Sequence, residues 1–355
     1  MSDVSVVLCT YNGDRFVREQ LATIVDQTEP PLEIIVSDDG STDQTMSIVE
    51  DVAARSSVPI KLYRNVDNLG FSENFLAACD NASGDYIAFS DQDDRWRPDK
   101  LKVGRAALRD HRASLCVHAV QHIDQQGRPL TINRQGIRQT RTVDSLQADP
   151  WGVYYGFTML FDKSLLTRLP RSERGLDSFS RGRLLSHDRW VYFLASCFGR
   201  IVTLADVLAE YRQHDSQLYG GSGRTFVQGL ADRSADRGAR LGYLSEVAAH
   251  RAEILTSSPL GAGDPSYGHA AERWRQVARH CRLSARVQGA SSLSAGLTQL
   301  VTNLRAGVYR PVPAGGAGRR QVLVDLVSTT VGRRGIALLS RMLQPRSAPT
   351  SAGSR

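Results

Sequence analysis

Cysteine is scarce in this 355-residue chain, and its five copies, Cys9, Cys79, Cys116, Cys197 and Cys281, are scattered. No CxxC or Cys/His spacing is present, which excludes a zinc site and a disulfide framework and fits a reducing cytoplasm. Nowhere does an apolar run reach the roughly 20 residues that span a bilayer. "MSDVSVVLCTYNG" enters a strand pattern without a basic leader or a cleavage site, so export is not expected. The turn "CTYNGDRF" has one glycine where a G-x-G-x-x-G phosphate turn needs three, which argues against a dinucleotide-dependent oxidoreductase. There is no internal repeat.

What remains is ordinary globular usage, 41% hydrophobic and 23% charged, with a net charge of +7 and arginine crowded into the last third. Such a balance favours an anionic partner: a nucleoside diphosphate, a lipid headgroup or nucleic acid. The first hundred residues alternate strand and helix patterns. "VSVVLC", "LEIIVSDD", "IKLYRN" and "DYIAFSDQDD" read as strands, separated by helical spacing in "REQLATIVDQ", after "GSTD" and in "GFSENFLAACDNA". This predicts an α/β domain with a mostly parallel sheet flanked by helices, whose ligand sites lie beyond the carboxyl ends of the strands. Further strand-like runs, "ASLCVHAV", "GFTMLFD" and "GRIVTL", and a helix at "HDRWVYFLASCF" extend it to about residue 220. Residues 225–345 read as a C-terminal helical region, with apolar stripes at Leu241, Leu244, Val247, Ala248 and Leu255, at Trp274, Val277 and Cys281, and at Leu293, Leu297, Leu300, Val301 and Leu304. "PVPAGGAG" (311–318) reads as a linker and 346–355 as a disordered tail.

In "FSDQDDRW" three carboxylates, Asp91, Asp93 and Asp94, fall within four residues at a strand end. Asp91 and Asp93, two apart in extended chain, project to one side. Such a pair suits a hard divalent cation, Mg2+ or Mn2+, that shares its coordination with water and substrate phosphate. Taken alone, the same residues also suit a solvated loop capping the helix at "PDKL".

Four motifs in order, "VSVVLCTYNGDRFVREQLATIVDQT", "EIIVSDDGSTDQT", "NLGFSENF" and "GDYIAFSDQDDRWRPDKL", resemble the inverting glycosyltransferases of family 2, which have a GT-A fold. The "DQDD" variant is similar to bacterial rhamnosyltransferase-like members that build cell-surface polysaccharide. The likeness covers roughly residues 4 to 215. It implies that Thr10, Tyr11 and Asn12 surround the base and ribose of a nucleotide diphosphate sugar, and that Asp39 accepts from the base or ribose while Asp38 supports the turn. It implies Asn74 beside the donor sugar and diphosphate, Asp93 as the direct metal ligand, and Asp91 as a contact to ribose or to the metal. Asp188, at the start of an apolar helix, corresponds to the base that deprotonates the acceptor hydroxyl, with His187 beside it and Gly156 in the acceptor-lining segment. Arg212 corresponds to a diphosphate contact and His214 to a contact with diphosphate or metal. Without the likeness, Asp188 reads equally as a charge at a helix N-terminus.

The implied activity is a metal-dependent transfer of one sugar to a hydroxyl of a glycan, glycolipid or similar acceptor. The Q-x-x-R-W signature and transmembrane spans of processive synthases are absent. The expected setting is the cytoplasm, or the inner face of the membrane if Val322, Leu323, Leu326 and Val327 with Arg319, Arg320, Arg333 and Arg334 form a basic amphipathic helix. A nucleotidyltransferase that makes sugar nucleotides, or a non-catalytic nucleotide- or anion-binding protein, stays open as an alternative. A nucleic-acid partner would leave the acidic turns without purpose and is not expected.

Overall fold

In the computed structural model, which describes residues 3–215, 237–290, 292–309, 322–323 and 325–326, the run "VSVVLCT" forms strand β1 (Val4–Thr10), buried at every residue. β2 (Glu33–Asp38) is buried throughout as well. A strand covered on both faces shows no polar alternation, which is why both read as near-continuous apolar runs. α1 (Val17–Val25), α2 (Thr45–Arg55) and α3 (Phe71–Cys79) make the crossovers, and β3 (Ile60–Arg64) and β4 (Tyr86–Ser90) complete a parallel set in the order β3-β2-β1-β4. Leu21 and Ile24 of α1 pack with Val6, Leu8, Ile34 and Val36 in the main core.

Past β4 the sheet is mixed, so the expected parallel order holds only for its first half. β5 (Arg95–Trp96), α4 (Lys100–Asp110), β6 (Leu115–Ile123), β7 (Pro129–Asn133), β8 (Arg141–Val143), β9 (Leu160–Asp162), α5 (His187–Phe198) and β10 (Ile201–Arg212) follow. β9 inserts antiparallel between β4 and β6, β6 runs parallel to β10, and β5 lies antiparallel to β10. Antiparallel neighbours need no helical crossover, and β9 is reached through a 3-10 turn at Gly156–Thr158. The register that pairs Leu8 with Ser90 and Thr10 with Asp38 sets the turns after β1, β2 and β4 side by side.

Glu33 is a carboxylate inside this sheet. Burial pushes its pKa up, but Lys61, at 2.6 Å, and hydrogen bonds from Ser83 and Ser5 outweigh that and hold it at about 2. A folded value below the unfolded one gives stability that is present above pH 4.5 and lost as the pH falls toward 2. Glu33→Gln is therefore expected to lower Tm by about 2–4 °C at pH 7. Parent and variant should converge between pH 4.5 and 2.5 in thermal melts, and a gap that stays constant over that range would count against the ion pair.

The chain divides into two compact units, residues 1–221 with 250–272, and residues 222–249 with 273–355. Residues 250–272, within the stretch that reads as a helical region, cluster with the sheet. Tyr267 donates to the carbonyl of Arg168 and packs its ring 4.7 Å from Phe198, and Arg251 lies over the rings of Trp151 and Phe193. A shift in composition marks where chain character changes and carries no record of where a helix packs.

The second unit holds the first part of α6 (Arg237–Ser257) and the latter part of α7 (Pro265–Gln288), joined by the Ser245 hydroxyl donating to the carbonyl of Ala278 at 2.8 Å. α8 (Leu293–Arg305) buries Leu300 with Val308 and Tyr309 against Leu283 and Val322. Asp325 is buried and accepts from Ser284, Gln288 and Tyr309 at 2.9, 2.8 and 2.7 Å. Of the stripe expected to be core on α8, Leu293, Leu297, Val301 and Leu304 are instead exposed. The linker 311–318, the tail 346–355 and the arginines at 319, 320, 333 and 334 lie outside the described residues. Among the described residues, no helix is long and apolar enough to cross a membrane. All five cysteines are buried, and none forms a disulfide among the described residues.

Candidate active site

The carboxyl ends of β1 and β2 are locked together by their own polar side chains. Thr10 donates its hydroxyl to Asp38 at 2.9 Å, and Asp38, fully buried, also accepts from the amides of Gly40 and Ser41 and from the Ser41 hydroxyl. Gly40 has φ 88°, the left-handed conformation that this tight turn demands. Asn74 is buried too, accepting from Ser37 at 2.6 Å and from Asn65 at 2.9 Å and donating to the Ser37 carbonyl at 3.0 Å. Thr10, Asp38 and Asn74 therefore make their hydrogen bonds within the scaffold, Asp38 holding the turn and Thr10 and Asn74 engaged by protein partners where donor contacts were expected. Asp39 is also covered, taking the Asn65 amide, the Leu69 amide and the Gly70 amide at 2.8–2.9 Å. A carboxylate has about four acceptor positions, so one remains for a base or ribose donor. Tyr11 is half exposed, and Asn12, at φ 47°, holds the rim by accepting from the Thr42 amide and donating its own amide to Ser41.

Sequence reasoning passed over Gln92. Its side-chain amide pairs with the backbone of Tyr11 in both directions, accepting at 2.9 Å and donating at 3.1 Å, and so ties the rim to the acidic loop. A Cβ at Gly13 would stand 2.1 Å from the Gln92 oxygen, so any other residue there must displace the Gln92 side chain. The signal was available in the D-Q-D spacing: a residue between two that share one side points the other way, toward the neighbouring strand. Gln92→Ala should weaken nucleotide binding about tenfold, the weight of one well-made hydrogen-bond pair. Calorimetry with a nucleoside diphosphate would show it, and unchanged affinity would refute the coupling.

The acidic loop is built over a buried base of cations. Arg212 is only 2% exposed. Its guanidinium donates to the carbonyls of Asp93 and Gln125 and to the Glu19 carboxylate, at 2.9, 3.2 and 2.6 Å, and lies 4.6 Å over Phe16. Its backbone amide donates to Asp94 at 3.2 Å. Arg212, expected at the diphosphate, thus directs each of its three guanidinium nitrogens to a protein acceptor and braces the loop. Lys100 is buried below, donating to the Phe157 carbonyl at 2.6 Å and lying 3.3 Å over Trp96. Burial holds the Lys100 pKa well below the ordinary range, with Asp94 opposing.

Above this base, His214 Nε2 meets Asp93 Oδ2 at 2.8 Å, across 121 positions of sequence. Asp94 is fully buried, and among the described residues its Oδ2 has no hydrogen-bond partner. Burial, then Asp93 and Asp188, push the Asp91 carboxyl up to about 7, with Lys100 opposing. The loop therefore holds more negative charge than its own cations relieve. Adjacent ligands on an octahedral ion with bonds of about 2.1 Å lie about 3 Å apart, and the Asp93 and His214 atoms match that edge. Among the described residues no three His, Cys, Asp or Glu side chains converge on one point. Asp93 and His214, with Asp91 near them, are the groups that could share an Mg2+ or Mn2+ ion with water and substrate.

Asp188 lies in the first turn of α5, half-buried, with one carboxylate oxygen accepting from the Ser186 hydroxyl and from the Arg189 amide. Its influence on Asp91 puts both in one electrostatic field. His187 points elsewhere. It is buried between Phe75, stacked at 4.1 Å, and the edges of Phe71 and Phe89, and desolvation lowers its pKa to about 4. A neutral ring enclosed by phenylalanines does not face an acceptor, so that expectation is corrected. Gly156 is corrected with it, since a Cβ there would lie 2.5 Å from His187 Nε2 and the close approach it permits is to the imidazole.

Comparison with known proteins agrees with this geometry. The family model of Glycosyl transferase family 2 matches residues 5–169. EpsE of Bacillus subtilis (strain 168), named as a glycosyltransferase, is 30% identical over 219 residues, which are 61% of this chain and 74% of EpsE. The dTDP-rhamnosyl transferase RfbG of Shigella flexneri is 38% identical over 99 residues, 27% of this chain and 34% of RfbG. Two other curated relatives are spanned for only 29% and 59% of their length. The crystal structure of S. aureus TarS 1-349 with UDP-GlcNAc superposes with a TM-score of 0.53 at 18% identity, over 87% of this chain and 93% of that one, which is a likeness of fold. With its motif turns adjoining and 74% of EpsE matched at 30% identity, the chain belongs to glycosyltransferase family 2.

Proposed function

We propose that this glycosyltransferase moves one sugar, with inversion, from a nucleoside diphosphate sugar to a hydroxyl of a glycan or lipid-linked acceptor in bacterial cell-surface polysaccharide synthesis, on the cytoplasmic side of the membrane. The observation that carries the reading is the Asp93–His214 pair at 2.8 Å beside Asp91, in the same field as Asp188. Rhamnose on a thymidine or uridine diphosphate is the donor favoured by the likeness to RfbG, which rests on 27% of the chain.

Tyr11, Asn12 and the remaining acceptor position of Asp39 hold the nucleoside, and Gln92 keeps Tyr11 over the acidic loop. Asp93 and His214, with Asp91 at the ribose or in the same shell, hold a divalent ion. When bound, that ion supplies positive charge to the leaving diphosphate. Arg212 and Lys100 keep the loop rigid from below. Asp188 takes the proton from the acceptor oxygen as that oxygen attacks the anomeric carbon on the face opposite the diphosphate.

The test is a panel of nucleoside diphosphate sugars with Mn2+, followed by release of the nucleoside diphosphate. Slow hydrolysis or transfer with one donor supports the reading, and a protein that binds and cleaves none of them refutes it.

A further inference from the structure

Residues 273–355 carry fourteen arginines, no lysine and a single carboxylate, Asp325. That one acid is buried and fully engaged by Ser284, Gln288 and Tyr309, so the surface it belongs to gains no negative charge from it. Since the whole chain is only +7, everything before residue 273 is net negative. On α7 the arginines at 279, 282 and 286 are exposed, one helical turn apart. α8 has two faces of opposite fate. Gly296, Leu300 and Asn303 are buried, whereas Leu293, Leu297, Val301 and Leu304 are 54, 37, 45 and 48% exposed along one ridge. Spacings of four, four and three make that ridge continuous, and Leu323 and Leu326 are exposed as well.

We propose that the apolar ridge of α8 docks on an anionic lipid bilayer, with the surrounding arginines reaching the headgroups. Leucines half out of water beside guanidinium groups are the composition of a helix that lies in the interface, where apolar side chains enter the acyl boundary and long cationic ones extend to phosphate. The charge selects this occupant. A second copy of the same face would bring arginine against arginine, and nucleic acid would leave the leucine ridge in water. The inference deepens the proposed function, because a docked enzyme meets a lipid-linked acceptor in two dimensions, but it stands or falls by a different experiment.

The full chain is floated with vesicles of phosphatidylcholine containing 30% phosphatidylglycerol, and with pure phosphatidylcholine, in 0.1 and 0.5 M salt. Recovery should be at least about tenfold higher on the anionic vesicles and fall about tenfold at the higher salt, as screening requires. Leu297→Glu with Val301→Glu, both at exposed positions, should cut recovery on anionic vesicles about tenfold, and Arg279→Gln with Arg282→Gln should cut it several-fold. Both double variants should keep the parent's circular dichroism and its release of nucleoside diphosphate from donor. Equal recovery on the two vesicle types, or a glutamate variant that floats like the parent, overturns the proposal. So does a parent that stays unbound while sedimentation shows concentration-dependent self-association. Loss of donor cleavage with flotation intact would instead strike the proposed function alone.

Discussion

Asp93→Asn should yield a protein that folds at least as well as the parent and no longer responds to donor and Mn2+. The substitution is nearly isosteric, and an amide can keep the 2.8 Å contact with His214. What it removes is one charge from a loop where Asp91 is pushed up to about 7 partly by Asp93 itself, and where Asp94 is driven well upward by burial and by the same neighbour. Relief of that repulsion is worth about 1 kcal/mol, so the ligand-free variant should melt at the parent's temperature or about 2–4 °C above it. Binding goes the other way. The ion would lose its one charged ligand in the His214 pair, and with it the anchor for the diphosphate, so donor affinity in Mn2+ should fall at least about thirtyfold and turnover about a thousandfold. Thermal shift with and without donor reads both arms in one plate. A purely structural Asp93 predicts the reverse pattern, a lower melting point with donor response intact, and that result would remove the metal from the mechanism.

The first half of the sheet was legible because β1, β2 and most of β4 are buried on both faces. "VSVVLC" and "LEIIVSDD" have no other reading once helices flank them, and their acidic turns fall at the carboxyl ends as expected. The second half was less so. β5 is two residues long and β9 three, and a pattern of period two cannot be counted over such lengths. At the site, sequence identified which residues are polar and not which way they point. Thr10 was read as facing a ligand and instead donates to Asp38, because two strand ends in parallel register need their own hydrogen bonds before they can present any. Arg212 and His214, two apart on one segment, look alike as basic residues following a strand. Only the fold separates them, turning Arg212 to Glu19 and the Asp93 carbonyl and His214 to the Asp93 carboxylate, with both against Phe16. On α8 the helical period was right and the buried face was wrong, since five apolar residues at mixed spacing cover more of the helix circumference than one contact can bury.

Asp188→Asn is expected to separate binding from chemistry. Asparagine retains an oxygen that can accept from the Ser186 hydroxyl and the Arg189 amide, so the first turn of α5 keeps its local bonds. What it cannot do is take a proton. Turnover with acceptor should therefore fall by about two to four orders of magnitude, the range of a lost general base, while donor affinity stays within about twofold. The competing role, a carboxylate that steadies the positive end of the helix, predicts a different signature. There the loss is of stability, up to about 1 kcal/mol at this half-buried position, and the activity of the folded fraction is kept. Single-turnover transfer measured with saturating donor, beside a thermal melt, distinguishes the two, and a variant that keeps its rate would leave the acceptor without a base in this cleft.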